Sequence, residues 1–187
     1  LMDFLVKSFL KNGFVKKTLT DDDSASPDLF KLETRVIVYH KKCGEIVSKK
    51  NATTKNTVFE KLPYIKNKWI NIGRLDVNTS GLLLFTNNGD LAHKLMHPSS
   101  NIERIYRVKI KGDFNRDKII LCKRGVDIGN NEIGCFTKII KDRKNNYLLT
   151  LNTGKNREIR RVLTKINCKV EQLQRISYGP INLKRLP

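Results

Sequence analysis

The stretch WINIGRLDVNTSGLLLFTNNGDLAHKLMHP (Trp69–Pro98) decides how the rest of the chain is read. Short apolar runs bounded by turn residues predict buried strands over Trp69–Leu75 and Leu82–Thr86. A polar turn, Asn87-Asn88-Gly89, precedes an amphipathic helix expected from Asp90 to His97, with Asp90 as its N-cap and Pro98 as its stop. Asp76 therefore stands in a Gly-Arg-Leu-Asp turn between two buried strands. A carboxylate in that place either forms the turn or is the reactive group of a site.

Working outward, TRVIVYH (Thr34–His40) is a β-branched strand, followed by a Gly44 turn and a short EIVS strand (Glu45–Ser48). Lys49–Thr57 reads as a polar, basic loop, and Thr57 caps a short VFEKL helix that Pro63 stops. Arg104–Lys111 (RIYRVKIK) alternates as a half-buried strand with a basic outer face. Asn115–Lys123 is helical, Glu132–Lys141 and Asn145–Asn152 form a pair of strands, and Asn156–Ile166 is a helix basic on one face. Lys169–Tyr178 is the last strand, ending at Gly179-Pro180. Strands and helices mix without βαβ alternation, so the fold class is α+β, with a mixed, largely antiparallel sheet and flanking helices. Residues 1–33 read as an N-terminal extension and linker, with TLTDDDSASP (Thr18–Pro27) polar and turn-rich, and the main domain spans 34–187.

The charge balance narrows the partners. Lys and Arg number 37 against 18 Asp and Glu, a net charge of +19, and an excess of that size points to a polyphosphate such as RNA or DNA. The longest apolar run, Leu82–Phe85, is far too short to span a bilayer, and the first residues lack a signal-peptide pattern. Four cysteines (Cys43, Cys122, Cys135, Cys168) are dispersed with no C-x-x-C pair, which argues against a disulfide framework or a zinc site and for a reducing cytoplasm. His93 and His97 have metal-ligand spacing, but HKLMH lacks the glutamate of a zinc-protease helix and has no third ligand. NTGKN is not a phosphate-cradling P-loop, since no glycine stands at the required place before Gly154-Lys155. No metal is expected, and nothing suggests an apolar face large enough for an oligomer, so a monomer is expected.

Three blocks occur in a fixed order: GRLDVNTSGLLLFTNNGDLAHKLMHPSSNIERIYRVKIKG (Gly73–Gly112), LNTGKNREIRRVL (Leu151–Leu163) and GPINL (Gly179–Leu183). Together they resemble the pseudouridine synthases of the Rsu/Rlu class, the bacterial rRNA-modifying enzymes, over roughly Arg35 to Pro187. The resemblance implies an isomerase that converts a specific uridine of rRNA, large-subunit rRNA by its phrasing and small-subunit rRNA as the close alternative. It implies Asp76 as the family's common aspartate, Tyr106 as the tyrosine that stacks on the target base, and Arg160 as the arginine that pairs with the aspartate. Arg74 matches the residue that fills the space left by a flipped nucleotide. Thr79, Lys41, Asn156, Arg157 and Arg161 are the further expected RNA contacts. A non-catalytic rRNA-binding or ribosome-assembly protein on the same scaffold is the reading from another class.

The chemistry suits these residue types. Pseudouridine formation breaks the N1–C1′ bond, turns the uracil and rejoins it through C5, with no redox change and no group donor, so no cofactor is needed. It needs a carboxylate as nucleophile or as stabiliser of positive charge. A carboxylate beside a base, out of water, stays ionised only with a fixed cation near it. Flipping the base out of structured RNA costs a few kcal/mol. Stacking on an aromatic face recovers about 1–3 kcal/mol of that. Two departures from the family stand out: its Lys-Pro-x-Gly appears here as Lys41-Lys42-Cys43-Gly44, and residues 1–30 are too short for the small S4-type RNA-binding module that usually comes first.

Overall fold

Leu82-Leu83-Leu84-Phe85 is apolar at every position because both faces of its strand are covered. Leu82 and Leu84 pack into one cluster with Leu91, Ala92 and Leu95, while Leu83 and Phe85 pack into another with Val58, Trp69 and Leu75. The computed structural model describes residues 34–49, 56–65 and 68–183. The expected extension, residues 1–33, lies outside them. The strands are β1 (Val36–Lys41), β2 (Ile70–Ile72), β3 (Ser80–Thr86), β4 (Arg104–Lys111), β5 (Val126–Asp127), β6 (Ile133–Gly134), β7 (Lys138–Arg143), β8 (Asn146–Leu151), β9 (Lys169–Tyr178) and β10 (Ile181–Asn182). The helices are α1 (Gly89–Met96), α2 (Arg116–Arg124) and α3 (Glu158–Lys165).

The main sheet runs β1-β3-β9-β4-β8-β7, with β2 added to β3 and β10 to β9. Its pairings are antiparallel except that of β3 with β9, so the sheet is mixed and largely antiparallel, as the sequence implied. That parallel seam consists of Ser80 against Gln174 and Gly81 against Arg175. It is short because β2 takes the far end of the same β3 edge, pairing Ile70–Ile72 with Leu84–Thr86. The seam joins two half-sheets, one built on β1, β2 and β3 and backed by α1, the other built on β9, β4, β8 and β7. The second half has its own core, in which Val108, Ile110 and Leu149 meet Ile159, Val162 and Leu163 of α3.

Local structure departs from the sequence reading in four places. The N-cap of α1 is Asn88, whose Oδ1 accepts from the Leu91 N–H at 3.0 Å. Asn88 is extended there, which leaves Asp90 inside the first turn, where its charge still meets the helix dipole favourably. EIVS is not a strand; Ile46 makes a single bridge to Thr57. The expected strand Glu132–Lys141 is broken, because Ile133 and Gly134 pair with β5 instead, and β7 begins only at Lys138. The helix expected from Asn156 begins at Glu158, since Arg157 adopts the left-handed conformation (φ 48°).

A buried carboxylate anchors the turn after β1. Glu45 is 2% exposed and accepts from the Lys42 N–H (2.9 Å), the Tyr39 hydroxyl (3.0 Å) and the Lys61 ammonium (2.5 Å). Burial raises the Glu45 pKa, but the donors from Lys61, Lys42 and Tyr39 outweigh it and hold the carboxyl below its usual range. The same contact works on Tyr39 in the other direction: burial first, then the hydrogen bond and charge of Glu45, push its phenol up to about 12.

Two outcomes follow from this architecture. A Cβ on Gly81 would lie 2.2 Å from the Arg175 carbonyl oxygen, and Gly81 has φ +111°, so Gly81→Ala must push the seam apart. A backbone clash combined with a left-handed position costs about 3 kcal/mol or more. Thermal unfolding of the variant should show Tm lowered by roughly 10 °C. For Tyr39, a folded-state pKa above the free value means stability that is complete below about pH 10 and lost as pH rises through about 12. Unfolding measured from pH 9 to 12 should show this alkaline loss in the parent and a flatter curve in Tyr39→Phe.

Candidate active site

The turn carrying Asp76 is held from beneath by a lysine. Lys41, the last residue of β1, is 0% exposed, and its ammonium donates to the backbone carbonyls of Thr79 (2.8 Å), Asp76 (3.0 Å), Lys42 (3.1 Å) and Val77 (3.4 Å). Burial lowers the Lys41 pKa, and the charges of Cys43, Glu45 and Asp76 act against that. The expected RNA contact at Lys41 is therefore corrected: a side chain spent on four carbonyls inside the protein cannot reach a phosphate. A second tie runs from the Gly44 N–H to the Val77 carbonyl (2.8 Å). The Thr79 N–H closes the turn on the Asp76 carbonyl (2.9 Å).

From above, α3 and the residue before it bring two guanidinium groups to the Asp76 carboxylate. Arg160 Nε lies 4.0 Å and Arg157 Nη1 3.8 Å from Asp76 Oδ2. The two arginines differ in how they are held. Arg160 is 17% exposed, and its Nη2 donates to the Asn78 carbonyl (2.9 Å) and the Thr79 hydroxyl (3.4 Å). Arg157 is 53% exposed and reaches Asp76 from the left-handed residue at the head of α3. Burial, and after it the Arg157 charge, lower the Arg160 pKa, while Asp76 opposes both. The Arg160 guanidinium remains cationic at neutral pH.

The loop before α3 is organised by Glu158, which is 4% exposed. Its carboxylate accepts from the Thr153 hydroxyl (2.7 Å) and the Lys155 N–H (3.2 Å). Sequence reasoning passed over this residue. Arg161 points elsewhere: its guanidinium donates to Glu132 (2.6 Å) and to the carbonyls of Ile128 and Gly129, tying α3 to the β5–β6 turn. Its expected RNA contact is corrected on the same ground as that of Lys41, because these partners consume the fork. Thr79, 2% exposed, supports the turn from within, its carbonyl accepting from Lys41 and its hydroxyl from Arg160. Arg74 and Asn156 are exposed, as RNA contacts would need to be.

These elements surround a cleft of about 550 Å³ over the seam between the half-sheets. Asp76, Arg157 and Arg160 line it together with Tyr106, Arg74 and Thr79. Tyr106 lies on β4, half-buried at the border of two apolar clusters. Its register partner on β9 is Arg175, and a bulge follows immediately, shifting the register between Ile105 and Tyr106. Strict alternation would put Arg175 and Tyr178 on opposite faces; the extra residue lets both reach the cleft. Arg175 and Arg104 each lie over the Tyr178 ring, at 5.1 and 4.9 Å from its centroid. Arg104 also donates to the Asn152 carbonyl (3.0 Å) and the Tyr178 oxygen (3.2 Å), and the Tyr178 hydroxyl donates to the Leu95 carbonyl (2.8 Å).

The cleft also gathers unpaired polar atoms. Among the described residues, the buried side-chain atoms with no hydrogen-bond partner are Asn152 Oδ1, Arg160 Nε and Arg175 Nη2, and all three residues line it. Buried polar atoms in folded proteins are nearly always paired. His93, on α1, and His97, just after it, are outside the cleft, and His97 accepts from the Ser99 N–H to start the next turn. Among the described residues no helix is long and apolar enough to cross a membrane.

Comparison with known proteins agrees with this geometry. The family profile described as RNA pseudouridylate synthase matches residues 35–165. The chain is 44% identical over 158 residues to ribosomal large subunit pseudouridine synthase B of Buchnera aphidicola subsp. Schizaphis graminum, covering 81% of this chain and 61% of that protein. It is 40% identical over 159 residues to the protein of the same name from Vibrio vulnificus, covering 82% and 49%. The chain thus spans about half to three fifths of the length of these relatives. A solved pseudouridylate synthase superposes with a TM-score of 0.73 at 25% identity, covering 81% of this chain and 65% of that one. With well over half of its residues matched to the family and the same fold in a solved member, the chain belongs to the RNA pseudouridylate synthases.

Proposed function

We propose that the protein isomerises a specific uridine of large-subunit rRNA to pseudouridine, through a catalytic domain beginning at Thr34, as a monomer in the cytoplasm. The observation that carries this reading is the environment of Asp76: a carboxylate in a cleft, fixed from below by Lys41 and bracketed by Arg157 and Arg160. The names borne by the relatives supply the rRNA subunit, and the net charge of +19 suits a polyphosphate partner.

In this reading the target nucleotide leaves its helix and its base stacks on Tyr106, whose half-buried ring offers one face to the cleft. Arg74, at the cleft, fills the space the flipped nucleotide leaves, and Asn156 and Arg157 meet the RNA backbone. Asp76 acts on the ribose or the base while the N1–C1′ bond breaks, and Arg160 keeps its carboxylate aimed. The uracil turns within the cleft, bonds through C5, and loses the C5 proton with Tyr106 beside it. Closure by the RNA keeps water from the intermediate.

Release of tritium from C5-labelled uridine in a large-subunit rRNA transcript tests the reaction directly. The parent should release it, and Asp76→Asn should be slower by roughly ten-thousand-fold. Release by neither protein would sink the proposal. Arg160→Lys keeps the charge but loses the fork that holds Asn78 and Thr79. Its turnover should fall by about 10- to 100-fold with transcript affinity nearly unchanged, whereas a loss confined to affinity would make Arg160 an RNA contact instead.

A further inference from the structure

We propose that Arg175 is a further catalytic residue, which donates a hydrogen bond from Nη2 to a carbonyl oxygen of the uracil while that ring is an anion. This rests on the pseudouridine synthase reading above and adds a group to its chemistry. Arg175 is 2% exposed, and among the described residues no carboxylate pairs with it. Its Nε donates to the Leu82 carbonyl (2.7 Å) and its plane lies over the Tyr178 ring, so the side chain is fixed in place. Its Nη2 is buried with no partner, in a residue that lines the cleft. Keeping a cation buried without an anion is costly. Strand pairing alone does not call for a charge there, since the seam needs only the backbone of Arg175 beside Gly81.

The reaction supplies the missing anion. When N1–C1′ breaks, the bonding electron pair stays with the uracil and spreads over N1, O2 and O4, while Asp76 bonds to C1′ or balances its positive charge. When C5 attacks C1′, the pair enters the new C5–C1′ bond, the Asp76 carboxylate is freed, the C5 proton leaves and N1 takes up a proton. An attack by Asp76 on the base would likewise move negative charge onto a ring oxygen. A preorganised donor in a water-poor site is worth most where charge develops during the reaction. Arg175 is the register partner of Tyr106, so the two residues stand side by side across β4 and β9 in the wall of the cleft, and at 2% exposure Arg175 lies deeper than any backbone phosphate would. The β4–β9 bulge is what lets its side chain share the cleft with Tyr178.

The test compares Arg175→Gln and Arg175→Lys with the parent on two transcripts, one with uridine and one with 5-fluorouridine at the target. Fluorine at C5 cannot leave as the C5 proton does, so conversion is read on both transcripts as loss of the starting nucleoside in single turnover, by nuclease digestion and chromatography. Fluorine makes the departing base a weaker base, so it needs less help to carry negative charge. Both variants should be slower on uridine, Gln by about 100- to 1,000-fold, and the loss should shrink by about tenfold or more on 5-fluorouridine. Transcript affinity should stay within about threefold of the parent. Partial misfolding cancels from the ratio of the two substrates. An equal loss on both transcripts would overturn the proposal and leave Arg175 a structural residue. A loss confined to affinity would also overturn it and assign Arg175 to a phosphate. A parent that converts neither transcript would sink the pseudouridine synthase reading itself, which the other outcomes leave standing.

Discussion

The approach of Gly81 to Arg175 is the contact on which the rest of the molecule depends. β3 and β9 run parallel for two residue pairs only, and a single β-carbon on Gly81 would collide with the opposite backbone. Every site residue is placed relative to that seam. Lys41 is the register partner of Gly81 on the other edge of β3, Asp76 lies in the turn that leads into β3, and Tyr106 is paired with Arg175 across β9. A cleft forms there because the two half-sheets share so short an edge: each has its own hydrophobic core, and neither core fills the space above the junction.

Such a junction would be floppy if backbone pairing alone held it. The protein stiffens it with side chains whose polar ends are spent on backbone carbonyls. Lys41 holds the Asp76 turn, Arg160 holds Asn78, Arg175 holds Leu82 and Arg104 holds Asn152. Each bond reaches from one element to the carbonyl of another, so the turn carrying Asp76 cannot shift without breaking several at once. Hydrogen bonds from charged donors are worth about 1.5–3 kcal/mol each when buried. The cost falls on Arg160, whose pKa is lowered by burial first and then by the neighbouring charge of Arg157.

The sequence made the sheet and its helices legible, because hydrophobic period and turn residues act locally. β3 and β4 show it: an unbroken apolar run for a strand covered on both faces, and clean alternation for one with a solvent face. The residues that meet in the cleft were singled out only through the resemblance of three motifs to a family. What was not legible depended on partners far along the chain. Lys41 reads as a surface cation until the carbonyls it meets, 35 to 38 residues later, are placed around it. Arg161 reads as an RNA contact until the β5–β6 turn arrives beneath it. Arg175 was invisible for a different reason. A strand read as strictly alternating puts it opposite Tyr178, and only the bulge, set by pairing with β4, brings the two side chains together. Glu158 was hidden by its neighbours, a buried acid inside a run that looks wholly basic.

The cations of the site form a graded series in depth, and the grading separates their work. Lys41 is 0% exposed and spends its whole ammonium on the fold. Arg175 is 2% exposed and spends part of its fork on Leu82, with Nη2 buried and unpaired. Arg160, at 17%, divides its fork between the turn and Asp76. Arg157, at 53%, touches Asp76 alone at 3.8 Å and is the only one of the four that bulk water screens. Salt should therefore weaken what Arg157 does at the mouth far more than what Arg160 and Arg175 do inside. Loose, screened contacts thus stand at the mouth of the cleft, and the cations that the solvent does not reach stand within it.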